Sequence, residues 1–245
     1  MTRLAPLLAV ALAVSVPLGA RADDRPGCGE APSDAQVRGR LAILRRYVRA
    51  EEAPARRWYT TFLFLHGAMA AGAVMLAASG DQNEGQQVDM TVNSISSTLA
   101  VITLLTATPP MVGAGGTLDA MPEETPEERL AKLREAEDIL RRESNAIDFV
   151  DGWLAATGTA LYTTAASTTL LVAFDRLSAA YTTILGGIVL GHGRLLLRPR
   201  GARGHWRRYR RRFPDAACEE TVAAPVDASF DVTPMGLGVG FTVRW

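Results

Sequence analysis

Apolar and polar residues separate along this chain into long blocks rather than short alternations. Four segments contain no Asp, Glu, Lys or Arg: 58–80, 90–118, 152–174 and 177–193. Apolar stretches of about 20 residues have the length to cross a bilayer as helices, which satisfy their own backbone polar groups. The rest of the sequence is too polar and too short to cover four such helices in a soluble core. The pattern therefore predicts a mainly α, helical integral membrane protein with about four transmembrane helices. The segments are not equally apolar. The second opens with Thr91, Asn93, Ser94, Ser96 and Ser97 and meets Pro109-Pro110 near its end, and the third is diluted by threonines and Ser167.

Shorter periodicities fill the gaps between these blocks. Val37, Leu41, Leu44 and Val48 recur at helical spacing, with Arg38, Arg45, Arg46 and Arg49 on other faces, and Ser33 with Gln36 has the form of a capping box. A second amphipathic helix is predicted over 125–150, where Thr125 is the N-cap, Pro126 suits the first helical position and Glu128 completes a capping box. Its stripe is Leu130, Leu133, Ile139, Leu140 and Ile147, interrupted by Glu137, which favours a helix lying against the bundle over a coiled coil. Between the third and fourth segments, Asp175-Arg176 must turn the chain without glycine or proline; one long bent helix is the alternative. "VGAGGTL" at 112–118 follows an apolar helix and a Pro-Pro pair rather than a strand, so it reads as an exit loop and not a phosphate cradle. From 226 to 245 the period changes to two, through Phe230 and Val232, then Val239, Phe241, Val243 and Trp245, which predicts a C-terminal β-hairpin.

The amino terminus has an early Arg3, an apolar run to Leu18 and the small-x-small triplet Ala20-Arg21-Ala22, the pattern of a cleaved secretory signal over residues 1–22. The expected domains are then a 23–57 amphipathic segment, a 58–197 four-helix membrane domain with the inserted 125–150 helix, and a basic segment with the hairpin over 198–245. Exported chains favour disulfides, and Cys28 and Cys218 are the only two cysteines, so they are read as a bridge between the flanks.

Chemistry is harder to place. Formal net charge is zero, which gives no global field towards nucleic acid, and a nucleic-acid partner rests on the arginine run alone. No nucleophile elbow, P-loop, zincin or paired C-x-x-C motif occurs, so no catalytic residues, metal ligands or cofactors are assigned. His66 and His192 fall within spans and form a candidate proton or metal site, although two imidazoles do not by themselves define a metal. Small residues give three candidate helix-packing ridges: Gly187 with Gly191, Ala156 with Ala160, and Gly67 with Ala71.

Arginines crowd one face of a four-span topology. They include Arg207, Arg208, Arg210, Arg211 and Arg212, which with Trp206 and Tyr209 read as a membrane-surface collar. Positive charge marks the cytoplasmic side, whereas the signal segment and cysteines place the same face outside. The signal is the more specific pattern, so the termini are expected on the exported side of a bacterial-type cell envelope, in the inner membrane. The function expected is a non-enzymatic structural or assembly component, with the lipid bilayer, a second copy or other envelope proteins as partners. A small transporter or channel subunit using the two histidines is the alternative.

Overall fold

The computed structural model describes residues 32–79, 83–216, 229–235 and 238–244, and these are mostly helical. The expected signal segment, Cys28 and Cys218 lie outside the described residues. One compact unit, Ala31–Arg212, contains α1 (Asp34–Ala78), α2 (Glu84–Thr106), α3 (Ala114–Ala120), α4 (Pro126–Asp151) and α5 (Trp153–Phe174). It continues through α6 (Leu177–Gly186), a π-helical stretch Gly187–His192, α7 (Gly193–Leu196) and α8 (Gly201–Arg212). In the other unit, β1 (Ser229–Met235) and β2 (Gly238–Arg244) pair antiparallel, with Val232 opposite Phe241.

Among the described residues, three helical stretches are long and apolar enough to cross a membrane: Asp34–Leu76, Gly85–Thr106 and Leu177–Arg212. The fourth expected segment forms α5, helical for 22 residues, but its threonines and Ser167 leave it less apolar than these three. Those hydroxyls stay within the helix. Thr159, Thr163 and Ser167 donate to the carbonyls four residues earlier at 3.0, 2.9 and 2.8 Å, the local bond by which a helix carries Ser and Thr in apolar surroundings.

The expected boundary between residues 57 and 58 does not exist. α1 runs unbroken for 45 residues, passing through Pro54, which removes one backbone donor without ending the helix. Its start is the capping box anticipated from sequence: Ser33 N–H donates to Gln36 Oε1 at 2.8 Å and Gln36 N–H to Ser33 Oγ at 3.4 Å. The equivalent box starts α4, with Thr125 N–H to Glu128 Oε2 at 3.0 Å and Glu128 N–H to Thr125 Oγ1 at 3.2 Å.

Two halves differ in what they bury. In the headpiece, the first half of α1 packs on α3, α4 and α8, and Val37, Leu41, Leu44 and Val48 meet a core containing Met111, Leu118, Leu133, Leu140 and Ile147. The 112–118 segment is therefore not a loose exit loop. Gly113 takes the left-handed conformation (φ 81°) that starts α3, and the Glu52 carboxylate approaches Gly115 so closely that any side chain there would collide. The membrane collar is also corrected. Trp206 and Tyr209 are 3% and 1% exposed, packed into the headpiece and thereby withdrawn from a headgroup layer, and the Tyr209 hydroxyl donates to Glu137. The acid that interrupts the α4 stripe is thus a buried acceptor.

The other half consists of two hairpins, α1 with α2 and α5 with α6. Large apolar side chains point outwards from it, among them Phe64, Ile102, Leu161 and Val172, the last 77% exposed. The α5–α6 turn settles the alternative of a bent helix. Asp175 adopts the left-handed region (φ 52°), and Arg176 N–H donates to Leu170 O at 2.9 Å, closing α5 without glycine. Leu170, Ala179 and Ala180 then pack with Val88 and Val92, and Arg176 forks onto Asp89 at 2.6 and 3.3 Å.

Candidate functional site: a cavity among the apolar helices

The small residues predicted to pack do so at one ridge only. Gly187 and Gly191 face α5, where a side chain at Gly187 would overlap Thr163 and a Cβ at Gly191 would lie 2.7 Å from Thr159 Cγ2. This is the close approach that a G-x-x-x-G ridge allows. Its partner is Thr159–Thr163–Ser167, not the ridge one residue along. Ala156 and Ala160 are exposed, Ala71 is exposed, and Gly67 has no neighbouring atom near its Cβ position. Among the described residues, these two ridges show no close helix partner.

The hairpins leave a cavity of about 700 Å³ between α1, α2, α5 and α6–α7. Its wall is mostly apolar, with Met69, Leu76, Leu99 and Leu190 contributing. Polar groups interrupt it. Tyr162 on α5 bonds to Ser96 on α2 at 2.5 Å, while the Thr103 and Thr182 hydroxyls donate to carbonyls of their own helices at 2.8 and 2.9 Å. Among the described residues, Asn93, His66 and Arg194 are the nitrogen-bearing side chains in the wall, and no Asp or Glu lines it.

His66 and His192 have different surroundings. His66 lines the cavity, is 8% exposed, and leaves Nε2 without a hydrogen-bond partner. The Nδ1 of His192 lies 3.3 Å from Gly187 O, the carbonyl five residues back in the π-helical stretch. The described residues hold no group of three or more His, Cys, Asp or Glu arranged for a metal.

No protein-family model, curated protein or solved structure matches this chain. The residues themselves carry the interpretation.

Where the cavity meets the headpiece, the junction is tightly built. Trp58 Nε1 donates to Arg194 O at 3.0 Å, Arg198 lies over the Trp58 ring at 5.6 Å, and Arg198 pairs with Glu143 at 2.9 Å. Glu143 also accepts from Met111 N–H at 3.3 Å, so its buried carboxylate joins α4 to the segment before α3.

Arginines elsewhere in the headpiece are largely ion-paired. Arg129 reaches Asp34 at 2.8 Å, Arg203 reaches Asp151 at 2.7 Å, and Arg207 and Arg203 share Asp148 at 3.4 and 3.2 Å. Arg208 lies 2.9 Å from His205 Nδ1, and Arg210 lies over Trp206. Arg211 and Arg212 are exposed at the end of α8. Glu123 is held by Lys132 and Arg45, which together keep its carboxyl below the usual range. Arg194 is a functional candidate that only the structure singles out; in the sequence it stands about one turn beyond Gly191, just past the fourth apolar segment.

Proposed function

We propose that the chain is a non-enzymatic integral membrane component of the cell envelope, structural or engaged in assembly, which presents an ion-paired headpiece at the membrane surface. The carrying observation is the outward belt of Phe64, Val74, Ile95, Ile102, Val172 and Val189, with α1 running without a break from that belt into the buried headpiece core. Exposed apolar surface of this extent requires cover, and lipid supplies it around helices whose backbone is internally satisfied.

An assembly role draws support from the ridges that show no close helix partner among the described residues. Ala156, Ala160, Thr164 and Thr168 lie exposed along α5, and such ridges let a second helix approach closely in lipid. A second copy of the chain or another envelope protein would pack there. The transporter reading draws less support, because His66 and His192 have different surroundings.

The test is extraction followed by cross-linking. The chain is expected to stay with membranes through alkaline carbonate and to leave them only in detergent, and lipid-soluble cross-linking should capture a neighbouring helix that Ala160→Leu releases. Release by carbonate, or cross-linking unchanged in Ala160→Leu, would contradict the reading. External labelling of Cys218 after reduction fixes the orientation.

A further inference from the structure

Two arginines one helical turn apart sit where the cavity meets the headpiece, and the protein treats them differently. Arg198 is engaged by Glu143 and by the Trp58 ring. Arg194 lines the cavity, and no described carboxylate pairs with its guanidinium. The contrast matters because an arginine within a membrane domain faces the interior and finds a counter-charge, or marks a site that receives one.

Three further observations point to the same place. Among the described residues the cavity wall contains no Asp or Glu that could neutralise Arg194. His66 lies in the same wall, 8% exposed with Nε2 unpartnered. A polar nitrogen buried in this way is costly unless something bonds to it. The Thr159 and Thr163 hydroxyls nearby donate to carbonyls of their own helix, and, carrying no charge, they leave a cation unneutralised.

Shape adds the second half of the argument. On α1 the lining runs from His66 to Leu76, about 15 Å of helix at 1.5 Å per residue. Most of that wall is apolar, and about 700 Å³ falls within the range of small-molecule sites. The space is a long apolar slot with a cation at one end.

We infer that this cavity binds an anionic amphiphile: a single carboxylate or phosphate head held by Arg194 beside His66, with an aliphatic tail lying along the α1 wall towards Leu76. The inference goes beyond a structural role, since it gives the bundle interior a ligand. It also explains why Arg194 has no acid partner among the described residues: one would compete with the ligand for the same charge.

The experiment uses the full chain in phosphatidylcholine nanodiscs with a photoreactive palmitate, cross-linked positions being mapped by mass spectrometry. Cross-links are expected on cavity residues such as Leu76 and Leu190. Palmitate and lysophosphatidate should compete at least about tenfold better than hexadecanol, the loss expected when a charge-assisted bond is removed, and inorganic phosphate should not compete. Arg194→Gln should erase the preference for acid over alcohol, and Arg194→Lys should restore most of it. Gly158→Leu, whose side chain would enter open space in the cavity wall, should abolish cross-linking without loss of helix content, which keeps the test decisive if Arg194→Gln does not fold. Equal competition by hexadecanol, effective competition by inorganic phosphate, or cross-links concentrated on outward-facing Phe64 and Val172 would each overturn the inference.

Discussion

The headpiece and the membrane half share α1, yet they solve opposite problems. In the headpiece, apolar side chains face inwards and charged ones are matched: Leu44, Leu140 and Tyr209 are essentially fully buried, and Glu143 sits in the core with Arg198 upon it. In the membrane half many large apolar side chains face outwards, and small or polar residues such as Gly187, Gly191, Thr163, Ser167 and His66 lie inside beside Leu104 and Leu170. Water drives the first arrangement through apolar burial. Lipid removes that drive between helices, leaving close packing and local hydrogen bonds to hold them. α1 shows both solutions in one helix, the change coming between Ala55, buried in the headpiece, and Phe64, 78% exposed.

The comparison breaks most sharply at Glu143. Replacing it with alanine leaves Arg198 charged, buried and unpaired, and should cost about 3–5 kcal/mol, read as a large fall in the thermal midpoint of the detergent-solubilised chain. Leu140→Ala should follow at about 2–5 kcal/mol, as a cavity in a closed core, whereas Val172→Ala on the outward face should change stability by no more than about 0.5 kcal/mol. Equal effects at Leu140 and Val172 would erase the distinction between the halves. Gly187→Ala tests the membrane half by its own rule: the new methyl meets Thr163, and overpacking should cost about 1–3 kcal/mol, while Gly67→Ala meets nothing and should be neutral.

The smallest effect is expected at the headpiece surface. Lys132 and Arg45 lower the Glu123 carboxyl below its ordinary value, so its contribution to stability is complete above that ordinary value and is lost as pH falls through the lowered one. Acidification below about pH 4 should therefore loosen the contact of α1 with the segment before α4. Glu123→Gln should remove that component of the pH dependence and leave the rest of the unfolding profile unchanged.

Much of the helical architecture was legible because capping and periodicity are local. Ser33 with Gln36 and Thr125 with Glu128 announced two helix starts that the structure contains. The Val37–Val48 stripe correctly marked a buried face. Which surface covers a stripe is not local, and there the reading failed: Trp206 and Tyr209 look like interfacial aromatics in sequence but find α4 instead. The ridges failed for the same reason. Ala156–Ala160 and Thr159–Thr163 are one residue apart in register, and only the position of Gly187 on the facing helix selects between them. At Asp175 the missing glycine misled, since Asp occupies the left-handed region the turn needs. Half of the candidate site was visible in His66, while the place of Arg194 in the cavity wall exists only in three dimensions.

The central claim is that the chain is wet at the headpiece and lipid-bound beyond it, with α1 running through both. Spin labels placed by Phe64→Cys, Ile102→Cys and Val172→Cys, and by Glu127→Cys and Arg211→Cys, in a liposome-reconstituted chain whose native cysteines are replaced by serine, test it directly through collision with oxygen and with a water-soluble nickel chelate. The account predicts that the first three labels meet oxygen and exclude nickel while the last two meet nickel freely. Nickel reaching Phe64, Ile102 and Val172 as readily as Glu127 and Arg211 would contradict it.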